Sequence, residues 1–243
     1  MKIDPLYILP NFFTGASIYL GVLSITYATM GRFQLACWLV LLSLIFDGLD
    51  GRVARLTGTT SKFGVEFDSL ADIVAFGVAP AMILFTYIGY MYGKLGIVVS
   101  GLYVVFGAIR LARFNVTTSQ NEPNVFIGLP IPAAAVFVVS WLLLEMGYLQ
   151  KYFENPKIIS PFLLIASLIV ALLMVSNIRY PSFKKLNFEK ISFGKIIVFL
   201  MIILAILFAY PILSITILIT CYVLFGPSRA LYYLTKHFME KRK

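Results

Sequence analysis

The sequence predicts an all-α integral membrane protein, a polytopic bundle of about eight transmembrane helices with an intramembrane site facing the cytoplasm. The first reason is composition, because 60% of the 243 residues are hydrophobic, 13% are charged and the mean hydropathy is +0.91. Soluble domains of this length carry more charge. The second reason is that apolar runs of roughly 20 residues, long enough to cross bilayer hydrocarbon, recur along the chain. The third is a group of four aspartates at the ends of two such runs.

The apolar runs predict a single membrane domain over residues 1–243, without an internal repeat of the kind found in many transporters. Tyr210-Pro211 separates the last two runs and predicts either a turn or a kink. The opening Met1-Lys-Ile-Asp-Pro5 is not expected to be a signal peptide. The predicted spans are roughly 11–30, 34–56, 63–89, 92–113, 129–148, 158–177, 193–209 and 211–232.

Positive charge is distributed unevenly between the two sides that these spans define. If the N-terminus lies in the cytoplasm, 16 of the 20 Lys and Arg residues are cytoplasmic and four are not. This positive-inside bias predicts that both termini and the aspartates face the cytoplasm. The net charge of +9 therefore indicates topology and attraction to anionic headgroups, and it does not indicate a nucleic-acid partner. The four residues on the other side are Arg32, Lys94, Lys151 and Lys157.

Residues that carry other common chemistries offer no site. Cys37 and Cys221 lie inside predicted spans, where packing is expected and a disulfide is not. His237 is the only histidine and lies in the charged tail. Zinc-type Cys/His clusters, a Walker loop and a Rossmann fingerprint are absent from the sequence.

Two pairs of aspartates form the main functional signal. Asp47 and Asp50 are three residues apart near the end of the second span, and Asp68 and Asp72 are four apart early in the third, so each pair shares a helix face. The stretch 56–63 contains a turn glycine and helix-start residues, which predicts that the two faces meet. A carboxylate at membrane depth costs about 2.5–3.5 kcal/mol on insertion scales, so four of them indicate bound cations.

The residues around the acids suit a phosphate ligand and hard metal ions. Oxygen ligands select Mg²⁺, Mn²⁺ or Ca²⁺, and four carboxylates can hold two ions about 3.5–4 Å apart, as in phosphoryl transfer. Gly48 and Gly51 let a bulky ligand approach the helix, and Ala54 extends this small face. Arg55 offers a planar fork for a phosphate.

Two other interpretations stay open at this point. The acids can belong to a buried ion-pair network with Arg52, Arg55 or Lys62. The protein can also be a divalent-cation or proton transporter, although a transporter would not need the Gly, Ala and Arg positions.

The run from Asp47 to Asp72 matches the pattern D-x2-D-G-x2-A-R-x8-G-x3-D-x3-D at all eight specified positions. In this run the chain resembles the CDP-alcohol phosphatidyltransferase family. Further segments within roughly 9–185 resemble those of membrane-integral bacterial phosphatidylserine synthases, with Ile131 where a serine is expected. These segments are Leu9-Pro-Asn-Phe-Phe-Thr14, Arg110-Leu-Ala-Arg-Phe-Asn115, Gly128-Leu-Pro-Ile-Pro-Ala-Ala-Ala135 and Arg179-Tyr-Pro-Ser-Phe-Lys184.

The resemblance implies a reaction, in which the phosphatidyl group of CDP-diacylglycerol passes to L-serine and CMP is released. It implies a homodimer in a bacterial-type inner (cytoplasmic) membrane, with a catalytic core at 9–185 and extra helices and a basic tail at 193–243. It also implies two divalent cations, Mg²⁺ or Mn²⁺, and a general base, Asp72. The implied metal ligands are Asp47, Asp50, Asp68 and Asp72, and the implied CDP-diacylglycerol contacts are Pro10, Asn11, Phe12, Phe13, Gly51, Arg55 and Ser61.

The acceptor site is the least determined part of the sequence. Arg110 and Arg113 share a face at the inner end of the fourth span, and we hypothesise that at least one binds serine or the substrate phosphate. The alternative is that both anchor the span at the headgroups. Asn115 and the loop 114–128 are predicted to cover the site. Together with Arg179, the two arginines also suit a phosphorylated acceptor, so glycerol 3-phosphate and inositol phosphate stay open.

Overall fold

The computed structural model describes residues 8–117, 125–149, 159–181, 201 and 204–240. These residues are almost entirely helical, with one short antiparallel strand pair. A one-turn 3-10 helix, Gly89–Tyr92, joins α3 to α4. The elements are α1 (Ile8–Thr29), α2 (Phe33–Thr57), α3 (Lys62–Tyr87), α4 (Lys94–Thr117), β1 (Val125–Ile127), α5 (Ile131–Leu149), α6 (Ser160–Val175), β2 (Arg179–Pro181) and α7 (Pro211–Glu240).

Six of these helices are long and apolar enough to cross a bilayer, which confirms the predicted fold class. They correspond to the first five predicted spans and the last one. The sixth predicted span is the shorter apolar helix α6, of 16 residues. The seventh, at 193–209, lies mostly outside the described residues, although 204–209 are helical. Helical hydrogen bonds continue on both sides of Tyr210, from its N–H to Ile206 O and from Ser214 N–H to Tyr210 O, so Tyr210-Pro211 is a kink.

The hairpin of α1 and α2 packs closely because its contact face is built from small residues. The Ser17 and Ser43 hydroxyl oxygens are 2.7 Å apart, and Ser24 donates to the Ala36 carbonyl at 2.9 Å. Gly21 of α1 faces α3, where a Cβ would come within 2.9 Å of Ala75 Cα. Small side chains at such contacts let helix backbones approach closely in a membrane.

The turn between α2 and α3 has the chemistry that the sequence predicts. Gly58 ends α2 with φ of 68°, and its N–H donates to the Ala54 carbonyl. Ser61 begins α3 as its N-cap and accepts from Gly64 N–H at 3.0 Å. A left-handed glycine and a serine cap are standard stop and start signals. They return the chain antiparallel, so the ends of α2 and α3 that carry acids lie together.

A π-helical turn interrupts α3 directly after Asp72. It covers Ile73–Val78, between the α-helical parts Lys62–Asp72 and Ala79–Tyr87. Tyr103 of α4 is fully buried and donates its hydroxyl to the Phe76 carbonyl of this turn at 3.3 Å. Single π turns within α-helices occur often at functional sites.

The two strands pair with each other, and α7 packs against both β2 and α5. β1 pairs with β2, with Phe126 opposite Tyr180. Tyr180 is fully buried and donates its hydroxyl to the Val223 carbonyl of α7 at 3.1 Å. Burial raises the pKa of this hydroxyl, which keeps it a donor. Further along α7, Thr220 Oγ1 accepts from Trp141 Nε1 at 3.0 Å, so α7 is fixed to α5 as well.

Candidate active site

The four motif aspartates meet where α2 ends and α3 begins. One carboxylate oxygen from each of Asp47, Asp50 and Asp68 lies within 4.8 Å of the other two. Asp72 is 9% exposed, and its side chain is within hydrogen-bonding reach of Asp47. The spacing and the Gly58–Ser61 turn therefore bring both acid pairs together, as the sequence predicts.

This donor set fits divalent metal ions. Three carboxylate oxygens this close repel one another unless a positive charge lies between them. Asp72 Oδ1 is buried and has no hydrogen-bond partner in the described part of the chain. Buried charged oxygens without a partner are costly, and a cation removes that cost. All four donors are hard oxygens, which suit Mg²⁺ or Mn²⁺.

The ion-pair alternative has no support in the geometry. Within the described residues, none of the four acids forms a salt bridge within 4 Å with Arg52, Arg55 or Lys62. All three basic side chains are exposed. Arg55 is close enough to Asp50 for an electrostatic interaction without forming a salt bridge to it.

Thr14 of α1 forms a hydrogen bond to Asp50. Its buried hydroxyl donates to Asp50 Oδ2 at 2.7 Å and lies 3.2 Å from the Pro10 carbonyl. No motif in the sequence assigns Thr14 a role, although Thr14 follows Pro10 by one helical turn and Asn11 by three residues. That spacing places Thr14 on the same helix face as Pro10 and Asn11, so it could have indicated Thr14 as a site residue.

A cavity of about 190 Å³ opens beside Asp50 and Asp68. Five predicted CDP-diacylglycerol contacts line it: Pro10, Asn11, Gly51, Arg55 and Ser61. The remaining lining residues are Thr14, Asp50, Ala54, Thr59, Thr60, Gly64, Val65 and Asp68.

Phe12 and Phe13 are not among the residues lining this cavity. Phe12 is 64% exposed, and the Phe13 ring packs at a centroid distance of 6.0 Å from Phe46. Their assignment as CDP-diacylglycerol contacts stays a prediction.

Glycines keep the cavity open at two points. A Cβ on Gly51 would lie 3.4 Å from Arg55 Nη1, and one on Gly64 would lie 3.2 Å from Ser61 Oγ. Side chains at these positions would narrow the space beside the arginine fork and the serine hydroxyl. Gly48 has no atom within 4 Å of such a Cβ and is not a lining residue, so this glycine leaves open space away from the cavity.

Arg110 is a buried cation on the side of the acids that faces α4. It is 5% exposed, its guanidinium carbon lies 5.1 Å from the Phe114 ring centroid, and its Nε has no hydrogen-bond partner in the described chain. Its charge interacts with Asp72, and Tyr222 of α7 also lies near enough to interact. A buried arginine beside a buried acid suits an anionic ligand.

Arg113 has a different role in the structure. Its guanidinium donates to the Val175, Met174, Ser176 and Ile127 carbonyls at 3.0–3.3 Å and to Asn177 Oδ1 at 3.4 Å. These contacts join the end of α6 to β1, and we call them the Arg113 clasp. Gly128 lies against the clasp with φ of 77°. A side chain with this many acceptors has little capacity left for a substrate.

Asn115 connects α4 to α3 beside the acids. Its Nδ2 donates to Ser69 Oγ at 2.9 Å, one residue from Asp68. The rest of the loop predicted to cover the site is described only from Val125 onward and at its start. Covering of the site by residues 118–124 is a prediction that lies outside the described residues.

The sequence is similar to known proteins over its full length. The pattern of the CDP-alcohol phosphatidyltransferase family matches residues 7–171. A Helicobacter pylori protein named CDP-diacylglycerol–serine O-phosphatidyltransferase is 49% identical over 243 residues, which cover 100% of this chain and 99% of that protein. The archaetidylserine synthase of Methanothermobacter thermautotrophicus is 38% identical over 168 residues, 68% of this chain and 67% of its own. A Methanocaldococcus jannaschii protein, also named CDP-diacylglycerol–serine O-phosphatidyltransferase, is 46% identical over 111 residues. These residues cover 46% of this chain and 52% of that protein.

Proposed function

Since the chain belongs to the CDP-alcohol phosphatidyltransferase family, we propose that it transfers the phosphatidyl group of CDP-diacylglycerol to the hydroxyl of L-serine and releases CMP. The observation that carries the proposal is the meeting of three motif carboxylates within 4.8 Å beside a cavity lined by Arg55 and Ser61. Serine is the acceptor because a relative that is 49% identical over the whole chain is named for that reaction.

The CDP end of the donor substrate would occupy the cavity beside Asp50. Arg55 would bind a phosphate with its planar fork, and Gly51 leaves room for that approach. Asn11 and Ser61 supply hydrogen-bonding groups on the other walls. The acyl chains would stay in the lipid, so the diphosphate would be held at the membrane surface.

Two divalent cations, Mg²⁺ or Mn²⁺, would be held by Asp47, Asp50, Asp68 and Asp72. When bound, they would offset the charge of the diphosphate and of the departing CMP. Thr14 would hold Asp50 in its ligating orientation through the 2.7 Å hydrogen bond.

Asp72 would act as the general base. A serine hydroxyl is a weak nucleophile until a group within hydrogen-bonding reach takes its proton. Asp72 is buried beside Asp47 and near the Arg110 charge, so a serine hydroxyl brought against this carboxylate would have an acceptor for its proton. The serine oxygen then forms a bond to the phosphatidyl phosphorus, the bond from this phosphorus to the CMP oxygen breaks, and CMP leaves with the electron pair. No covalent enzyme intermediate is needed.

Arg110 would bind the serine carboxylate. It is buried next to Asp72, and its Nε lacks a partner in the part of the chain that the structure describes. An acceptor held by Arg110 would present its hydroxyl beside the proposed base. Arg113 is a weaker candidate because its guanidinium is engaged in the clasp.

The protein would lie in a bacterial-type inner membrane with both termini and the acids in the cytoplasm, because 16 of its 20 Lys and Arg residues fall on that side. We further propose a homodimer, as the family resemblance implies, with one membrane domain in which 9–185 form the core.

The test is release of CMP by the purified full chain. We expect release from CDP-diacylglycerol that requires both Mg²⁺ or Mn²⁺ and serine, with serine preferred when glycerol 3-phosphate and inositol phosphate compete in one assay. If the protein prefers a phosphorylated alcohol, that alcohol and not serine is the acceptor. No CMP under any combination of metal and alcohol would contradict the enzyme proposal and favour the cation or proton transporter.

A further inference from the structure

A second cavity lies between β2 and the second half of α7. It measures about 620 Å³ and is bordered by Arg179 on one side and by Arg229 and Tyr233 on the other. It shares no lining residue with the cavity beside Asp50. We call it the Arg179–Arg229 groove.

The groove is shaped by the docking of Tyr180 onto α7. The Tyr180 hydroxyl donates to the Val223 carbonyl, and a Cβ on Gly226 would lie within 2.7 Å of the same hydroxyl oxygen. Gly226 therefore permits this docking, and pairing of β2 with β1 fixes the backbone of Arg179. The wall that carries Arg179 is held in place by buried contacts.

Two arginines border this space, and the described part of its lining contains no acid. Arg179 and Arg229 are exposed, and neither guanidinium forms a hydrogen bond or an ion pair within the described chain. The Arg229 guanidinium carbon lies 5.6 Å from the Tyr233 ring centroid, which restrains it at the groove. None of the described lining residues is acidic. The groove therefore presents two exposed cationic side chains with no described acid in its lining.

We propose that the Arg179–Arg229 groove binds the phosphate of an anionic ligand, supplied by an anionic phospholipid headgroup or by a soluble phosphate compound. Two arginine forks match phosphate oxygens, and cationic residues near a membrane surface attract anionic lipids. The site is separate from the metal-binding acids, so its occupation does not depend on the proposed reaction.

The experiment measures binding by the purified full chain and needs no turnover. Native mass spectrometry counts phosphatidylglycerol and phosphatidylcholine adducts of matched acyl chains, and thermal melting is recorded with and without inorganic phosphate. The variant Arg179→Gln/Arg229→Gln removes both charges. We expect its phosphatidylglycerol retention to fall by about fivefold for each arginine removed.

The matched control is Arg32→Gln. Arg32 is also exposed and lies over a tyrosine ring, Tyr27, at 5.9 Å, but it lies between α1 and α2 and does not line the groove. The variant Arg179→Lys/Arg229→Lys keeps the charge without the fork, and we expect it to bind at an intermediate level. It also serves if the glutamine variant does not fold.

Selective loss of phosphatidylglycerol in the groove variants, with the control unchanged, supports the site and identifies lipid as its source. Stabilisation by inorganic phosphate that is lost in the groove variants, with equal lipid retention, supports the site with a soluble source. Equal lipid retention and equal phosphate response in the wild type, the control and the groove variants overturns the proposal.

Discussion

Asp50 depends on a residue from another helix, because the Thr14 hydroxyl donates to its Oδ2 at 2.7 Å. We expect Thr14→Val to weaken the apparent affinity for Mn²⁺ by about 10–100-fold, since partners that orient a metal ligand commonly have effects of this size. Mn²⁺ binding by electron paramagnetic resonance measures it. The control is Thr26→Val on the same helix, where the hydroxyl donates to its own helix at Val22 O. Equal affinities in the two variants would contradict the role of Thr14.

Asp72 differs from the other acids in having a buried Oδ1 without a hydrogen-bond partner in the described chain. We expect Asp72→Asn to keep binding of metal and CDP-diacylglycerol and to lose turnover by about 10²–10⁴-fold, the usual contribution of a general base. Metal and substrate binding are measured beside CMP release. If binding falls as far as turnover, Asp72 is mainly a metal ligand.

The two neighbouring arginines should respond differently to the same substitution. We expect Arg110→Lys to raise KM for serine by about tenfold, because one charge-assisted hydrogen bond is lost. Arg113→Lys should instead lower Tm, because a lysine cannot reproduce the bonds of the clasp. Serine titration and thermal melting of both variants separate these effects. An unchanged KM in Arg110→Lys removes Arg110 from the acceptor site.

At the residue scale, the sequence predicted that the acids lie together but did not predict the residues that contact them. Asp47 and Asp50 share a face by spacing alone, and the Gly58–Ser61 turn is readable from residue type. The contact of Thr14 with Asp50 depends on how α1 is rotated against α2, which no local pattern specifies. The role of Arg113 also depends on tertiary structure, because its acceptors lie at the end of α6.

Among the helices, Ile131 shows how a departure from the family pattern is accommodated. Its side chain is fully buried at the start of α5, and its Cδ1 would lie 2.6 Å from a Cβ on Gly107 of α4 and 3.6 Å from one on Gly77 of α3. The isoleucine therefore occupies space that two glycines leave open. The contact lies beside the π turn that follows Asp72.

We expect Gly107→Ala to destabilise the protein by about 1–3 kcal/mol, because it overpacks this contact. Ile131→Val removes the Cδ1 atom and should restore much of the loss in the double variant. Thermal melting in detergent measures the set. Gly101→Ala is the control on the same helix, where a Cβ has no atom within 4 Å. A Gly107→Ala protein as stable as this control would disprove the tight contact.

The π turn in α3 is a feature of a helix that hydropathy periodicity does not predict. The apolar run over α3 predicted one continuous helix, and the bounds are close to those observed, Lys62–Tyr87. The extra residue in the turn Ile73–Val78 is stabilised by non-local contacts, including the hydroxyl of Tyr103 on Phe76 O. A hydropathy pattern carries no information about such contacts.

For the whole molecule, α7 is joined to the core although the family pattern ends at residue 171. We expect Tyr180→Phe to cost about 0.5–1.5 kcal/mol, because the buried Val223 carbonyl loses its donor. Thermal melting checks it, with Tyr232→Phe at an exposed position of α7 as the control. Equal melting temperatures would show that the Tyr180 hydroxyl does not contribute to fixing α7.

Apolar run length predicted the fold class and most helix positions, because each span is set by bilayer thickness. The pairing of β1 with β2 was not predicted, since Phe126 and Tyr180 are far apart in sequence and each strand has only three residues. Short ladders of this kind form because the helices bring the two segments together.

The Arg113 clasp has a consequence for how the protein fits its bilayer. The 16 residues of α6 rise only about 24 Å, whereas bilayer hydrocarbon is about 30 Å thick. A helix end inside that layer normally exposes carbonyl groups that lipid cannot satisfy. Here Arg113 supplies donors to Met174, Val175 and Ser176, so the hydrophobic mismatch of α6 is absorbed by hydrogen bonds within the protein. The end of α6 can therefore lie below the headgroups without leaving these three carbonyls unsatisfied.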